Sequence, residues 1–415
     1  MPTKSRALFA ALLLSAVAMP TVATAQKKAE AAPAAKVTVS KEAQPALAAL
    51  DKAAKENRAA DVPALAAAAL AAAKTPNDRY FAYRLQLPVL AAAKNNDALL
   101  TAIEGVLSTG VATGPELANL TLLAGRLGYN KGANDPAAAT LAATRAQEAV
   151  QLNPTDGEAF YILGLNQNRQ KKSAEAVASL QKAQQLWVAA GKPKDQAVAD
   201  QTLSIAYAAR LPIARDLAFE NLKSAPSPKN WRTAIKITEQ SSNFAAPDKV
   251  DLFRLQRATS SFEGEGDYYP YVDALLTRGL PGEAKAVLDE AFAAGKLDRN
   301  KTEWKEMSAA AAARVAGDKA SLAAGEKAAL SAATARPALA TGDAYMGYGD
   351  YAKAVTLYRA ALAKGGADAD LANLRLGIAL ARSGDKAGAT AALNAVKGSR
   401  ASIAQLWLYY LQTAA

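Results

Sequence analysis

Gly342-Asp343-Ala344-Tyr345 and Gly377-Ile378-Ala379-Leu380 open the same pattern twice, 35 residues apart. Seven residues after each leading Gly comes a second Gly followed by Asp: Gly349-Asp350-Tyr351 in one copy, Gly384-Asp385-Lys386 in the other. Beyond the turn, Ala354 matches Ala389, Tyr358 matches Leu393 and Ala361 matches Val396. Apolar residues spaced by three and four on either side of a Gly turn describe two helices joined by a tight connection. A fixed period of roughly 20–50 residues is the mark of a repeat array.

Two further segments carry the pattern. In 157–186, Leu163-Gly164 falls in the first helix and Ala176, Leu180 and Ala183 in the second, after a closing Pro154. The other holds Tyr268, Leu275, Arg278-Gly279, Ala284, Leu288 and Ala291, with Val272 where the other copies have a small residue. A small residue midway along the first helix lets its partner approach. Ala sits where the helices cross, because a larger side chain would overpack the contact. Gly at the turn can take the left-handed conformation. One pair cannot bury its own apolar face, so stacked neighbours supply the core.

These residues resemble the tetratricopeptide repeat, a helix pair of about 34 residues with a small residue at its eighth position and Ala at its twentieth and twenty-seventh. The resemblance is clearest over 157–190, 265–298, 335–368 and 370–398. It implies an all-α fold: an α-solenoid of tetratricopeptide-like helix-turn-helix pairs winding as a right-handed superhelix. The middle block contains Trp231-Arg232-Thr233-Ala234, Leu252-Phe253-Arg254-Leu255 and Gly279-Leu280-Pro281-Gly282. It resembles secreted bacterial proteins of the same repeat class.

Helical spacing continues through the whole segment 41–415, enough for about ten pairs. Helices are predicted at 76–92, 302–315 and 318–332 among others, with a last, unpartnered helix at 400–412. That helix contains Trp407-Leu408-Tyr409-Tyr410 and is expected to cap the array and cover the last repeat's apolar face.

Residues 1–25 read as a secretory signal. Lys4 and Arg6 supply the basic start, Ala7 to Ala18 an uncharged run of 12 residues, and Ala23-Thr24-Ala25 a small-residue cleavage site. That run is short of the about 20 residues a spanning helix needs. Cleavage is expected after Ala25, and Gln26 to Ser40 (26–40) is expected to be a flexible tether. The small-residue site and the Ala-rich style point to a bacterial periplasm.

Composition narrows the chemistry. There is no His and no Cys. Disulfides, iron–sulfur clusters, thiol nucleophiles, His-dependent triads and the usual zinc sites are therefore excluded. About a quarter of the chain is Ala, the best helix former and a poor strand former. The net charge of +11 comes from Lys and Arg scattered among Asp and Glu. With no basic run and no interleaved aromatics, nucleic acid is not an expected partner.

Motif-like stretches have plainer explanations. Glu263-Gly264-Glu265-Gly266-Asp267 alternates acids with Gly, but a calcium loop would end in a bidentate Glu where Ala274 stands. An interhelix turn, with Asp267 capping the next helix, accounts for it. Ser179-Leu180-Gln181-Lys182 matches the Ser-x-x-Lys motif, yet lies inside a packed second helix without its companion motifs. Gly347-Tyr348-Gly349-Asp350 is a repeat turn and has no phosphate-loop Lys. Aromatic groups at Tyr80-Phe81-Tyr83, Tyr268-Tyr269-Tyr271, Tyr345-Tyr348-Tyr351 and Trp407-Tyr409-Tyr410 recur at helical spacing, which places at least half of them in the core.

In the family resembled, the first helices form a concave face through their second, fifth, ninth and twelfth positions. Carried over, these are Glu158, Tyr161, Leu165 and Asn168; Gly266, Tyr269, Asp273 and Leu276; and Arg336, Leu339, Asp343 and Met346. In the last repeat they are Leu371, Leu374, Ile378 and Ala381. The candidate partner-binding residues are Glu158, Tyr161, Asn168, Tyr269, Asp273, Arg336, Asp343 and Met346. The expectation is a periplasmic scaffold, not an enzyme, that binds a peptide or protein partner of the cell envelope with no cofactor and no metal. An alternative class is an envelope-glycan binder or processor using Asp273 with Glu263 or Asp267. Self-association through uncapped repeat ends would make a homo-oligomer.

Overall fold

Acidic and hydroxyl side chains ahead of several of the apolar runs fold them into capped helices. Asp135, Asp156, Asp195, Asp350, Asp368 and Asp385 each accept from a backbone N–H in the following first turn. Thr75 makes a full capping box with Asp78, with Pro76 at the first helical position. The computed structural model describes residues 38–242, 244–366 and 368–413. The signal segment 1–25 and tether residues 26–37 lie outside them.

In chain order the helices are α1 (Gln44–Lys55), α2 (Val62–Ala72), α3 (Pro76–Arg84), α4 (Leu87–Ala92), α5 (Asn96–Ser108), α6 (Gly114–Lys131) and α7 (Pro136–Leu152). Next come α8 (Gly157–Arg169), α9 (Ser173–Ala189), α10 (Gln196–Ala208), α11 (Ala214–Ser224), α12 (Pro228–Ser241), α13 (Ala246–Ala258), α14 (Glu265–Thr277) and α15 (Pro281–Ala293). The last are α16 (Thr302–Ser331), α17 (Arg336–Gly347), α18 (Tyr351–Lys364), α19 (Ala369–Ser383), α20 (Lys386–Asn394) and α21 (Ala401–Thr413). No strand occurs among the described residues.

Two boundaries differ from the spacing of apolar residues. The stretch 76–92 is two helices, α3 and α4, because Pro88 can supply no N–H to a continuous ladder. Conversely, α16 runs unbroken through Gly317 for 30 residues. One interior Gly costs only about 1 kcal/mol, and nothing nearby offers an alternative cap. At the chain's entry, Ser40 is held firmly: its backbone N–H and hydroxyl both donate to Asp78, each at 2.8 Å.

Helix pairs cross on small residues. Ala176, Ala183, Ala284, Ala354 and Ala389 are fully buried. A Cβ on Gly164 would stand 2.8 Å from Leu180 Cγ, and one on Gly377 2.6 Å from Leu393 Cγ. Those contacts are closer than real Cβ atoms come, so Gly sets the interhelix distance at both places. Gly384 ends α19 in the left-handed conformation at φ 90°. The chain is thus an all-α, tetratricopeptide-like solenoid.

The array does not stay open. Beyond α16 the chain doubles back: α17 packs on α15, Arg375 of α19 reaches Asp251 of α13, and α21 packs on α11, α12 and α13. In α21, Trp407 Nε1 donates to the Asp251 carbonyl (3.3 Å) and Tyr409 to the Leu222 carbonyl (3.5 Å). Tyr409 also packs on Phe219 and Trp231, with ring centroids 5.4 and 5.6 Å away. α21 therefore covers the last repeat and also ties it to helices some 150 residues earlier. Helix α13 is covered on both sides: Val250 to Gln256 are all buried.

Three of the buried residues on α13 are charged: Asp248, Asp251 and Arg254. Arg254 donates to Glu283 through Nε (2.9 Å) and Nη2 (2.7 Å), and to Asp251 through Nη1 (2.8 Å). Arg375 donates to Asp343 at 2.7 Å and to the other Asp251 oxygen at 3.3 Å. Tyr271 and Tyr358 complete the network as donors to Glu283 and Asp343, at 2.6 and 2.8 Å. Burial alone would raise the Glu283 pKa, but Arg254 and the Tyr271 hydroxyl lower it overall, so the group is ionised. Burial pushes both phenols well above their ordinary value, so they remain donors.

Candidate functional site

The first helices of the middle block present an exposed outer face. Ion pairs join successive first helices at about the repeat interval. Arg84 of α3 meets Glu116 of α6 at 2.6 Å, and Arg126 of α6 meets Glu158 of α8. Arg232 of α12 meets Asp267 of α14 at 2.7 Å, and Lys301 meets Glu265 at 2.6 Å. Exposed rungs of this kind add little stability individually. They do hold neighbouring first helices in register, which fixes the spacing of everything else on the face.

The rung at Asp267 is different because its side chain is only 1% exposed. Arg232 and Lys236 both bind it, and the Glu263 backbone N–H donates to it at 3.0 Å. Asp267 does not cap α14: Gly264 is the N-cap and has no side chain to offer, and Asp267 sits inside the first turn, closing back on the preceding loop and tying it to α12. Burial would raise its pKa, but the two cations and the backbone N–H lower it overall. A group with a depressed folded-state pKa contributes stability above its unfolded pKa and loses it as pH falls through the folded value. Asp267→Asn is therefore expected to destabilise the protein by about 1–3 kcal/mol at pH 7, with the gap to wild type closing below about pH 4. Urea unfolding at a series of pH values measures this; a gap independent of pH would contradict it.

Beside this rung, α10 and α12 flank a cavity of about 270 Å³ lined by Asp200, Ser204, Tyr207, Lys229, Arg232 and Lys236. Lys229 reaches Asp200 at 3.2 Å. Tyr207 is 44% exposed, and its hydroxyl donates to Gln240 of α12. One turn of the array further on, Tyr269 of α14 is 48% exposed and meets Trp304 edge-on, with centroids 6.2 Å apart.

The residues expected from the sequence divide into three groups. Asn168, Tyr269, Asp273 and Arg336 are exposed. Glu158 and Tyr161 are half-buried; Glu158 is held by Arg126, and the Tyr161 ring tilts against Trp187 at 5.6 Å. Burial raises the Tyr161 phenol pKa, so the ring presents a neutral hydroxyl. Asp343 and Met346 are not on an open face. The return of α19 and α21 buries both, Asp343 in the charged network and Met346 in the apolar core. Leu374 and Ile378 of the last repeat are buried by the same packing.

Tyr207, Lys229, Arg232 and Lys236 were not among the expected residues. Their helices lie outside the four clearest repeats, so the positional rule had no register to carry there. The visible signal was Asp200 and Tyr207, two turns apart on α10.

For the glycan reading, Asp273 is exposed, but Glu263 and Asp267 are both bound by Arg232, at 2.8 and 2.7 Å. Against the pull of burial, Arg232 and Lys236 hold the Asp267 pKa below its ordinary value, which makes that carboxylate a poor proton donor. Among the described residues, no group of three His, Cys, Asp or Glu side chains converges as a metal site requires. No described helix is long and apolar enough to cross a membrane.

No protein-family model matches the chain, and no curated protein matches it in sequence. Solved structures do. The C-terminal part of a TPR repeat-containing protein from Cytophaga hutchinsonii aligns over 63% of this chain and 98% of its own, at 13% identity and a TM-score of 0.35. The structure of Naa15/Naa10 bound to HypK-THB aligns over 87% of this chain and 58% of its own, at 14% identity and a TM-score of 0.43. A tetratricopeptide repeat protein from Parabacteroides merdae aligns over 73% and 99%, at 10% identity and a TM-score of 0.31.

Proposed function

We propose that this chain is an exported scaffold of the bacterial cell envelope, which holds a peptide segment of a partner protein against the first-helix face of α8, α10, α12 and α14. The observation that carries this reading is the pair of large exposed aromatics, Tyr207 and Tyr269, on either side of the Lys229–Arg232–Lys236 cluster. Aromatics and Arg are the residue types that anchor protein interfaces, and here they stand on rigid helices joined by ion pairs. The basic, apolar and small-residue order of residues 1–25 supports export to the periplasm.

The test is affinity capture from periplasmic extract, comparing wild type with the double variant Tyr207→Ala/Tyr269→Ala. Two lost aromatic anchors of about 2 kcal/mol each would weaken binding at least 100-fold, so a specific partner should disappear from the variant. Identical partner sets would remove this face from consideration. Mature protein recovered with Gln26 as its first residue would confirm the export step separately.

A further inference from the structure

A second groove lies on the opposite side of α8 from Glu158, Tyr161 and Asn168. It encloses about 390 Å³ between α7, α8 and the start of α9, within the roughly 300–1,000 Å³ range of ligand pockets. Its walls carry hydroxyls and carboxamides (Thr144, Gln147 and Gln151 on α7, Asn166, Gln167 and Gln170 on α8) beside apolar Leu163 and two charged groups, Lys172 and the Arg145-paired Glu148. Asn166 is 1% exposed; its Nδ2 donates to the Ile162 carbonyl, while its Oδ1 has no partner among protein atoms. A buried acceptor aimed into a groove calls for a donor.

We propose that this groove binds an extended stretch of polypeptide through its backbone. A carboxamide carries the same donor and acceptor as a peptide unit and is neutral like it. Residues four apart on a helix stand about 6 Å apart along its axis. Alternate residues of an extended strand, whose N–H and C=O groups point the same way, stand about 6.6 Å apart. Gln147 and Gln151 therefore match alternate peptide units of a strand laid along α7, with Asn166 Oδ1 accepting an N–H from the other wall.

The same surface already makes this pairing once. Gln184 of α9 accepts the Asp195 backbone N–H at 3.1 Å and donates to the Asp195 carbonyl. One repeat further on, a groove of about 480 Å³ between α9, α10 and α11 presents Gln181, Gln185, Thr202 and Asn221. Its Gln181–Gln185 pair repeats the four-residue spacing. No aromatic lines either groove, so a sugar ring finds no flat face to stack on.

The test uses NMR of the Asn and Gln side-chain amide signals of the whole soluble chain. The probes are an uncharged, end-blocked Ser/Thr/Val/Ala decapeptide, the same peptide with every second backbone nitrogen methylated, and a soluble N-acetylglucosamine oligomer. Shifts at Asn166, Gln147 and Gln151 are expected with the first probe, at least tenfold weaker binding with the second, and none with the third. Gln147→Ala/Gln151→Ala alters only exposed side chains and should weaken the first probe at least tenfold without changing the melting temperature. No shift at millimolar peptide, equal binding of the methylated peptide, or binding of the sugar alone would overturn the proposal.

Discussion

Replacing Glu283 with Ala should destabilise the protein by about 3–5 kcal/mol, the usual cost of leaving a buried charge without its partner. Arg254 would keep only Asp251, which it already shares with Arg375. The Tyr271 hydroxyl would lose its acceptor as well. The charge, more than the lost contacts, sets the size of the effect. The double replacement Arg254→Met/Glu283→Leu removes both charges at similar volume and should recover most of the loss. Urea unfolding of the three proteins measures both quantities. If Glu283→Ala and the double variant are equally unstable, the network acts by packing and not by charge.

The second large effect is expected at Trp407. Its side chain is fully buried against α13, so Trp407→Ala should cost about 3–5 kcal/mol. The change opens a cavity and removes the hydrogen bond to the Asp251 carbonyl. Trp407→Phe keeps most of the apolar volume and should lose distinctly less. Thermal unfolding should show a single lowered transition if α21 is integral to the block it closes. An unchanged midpoint would mean that α21 only rests on the last repeat.

The sequence made the helix pairs legible because their determinants are local. Gly164, Gly377 and the buried Ala series act on partners about 12 to 25 residues away, and their spacing can be counted. The doubling back was not legible. Asp251 and Trp407 lie 156 residues apart, and no periodicity links them. One clue was present: Arg254 is flanked in sequence by Leu252, Phe253 and Leu255, an apolar setting for a charge. Asp343 and Met346 were assigned to an open groove because position in the repeat says nothing about what packs on top. Tyr269 is exposed at a position that can be counted along its repeat, whereas Tyr207 needed a register that α10 does not display.

The closure of α21 onto α11–α13 also sets an order of events as the chain folds. Helices α1 to α10 find their partners among near neighbours and can form as soon as each pair is complete. Helix α13 cannot finish in that way. Until residues up to Trp407 arrive, Asp251 and Arg254 lack part of their network, and the apolar side that α21 will cover stays open to water. The half-made chain therefore carries a sticky, charged surface for as long as its last third is missing, the period when a holding chaperone would protect it most.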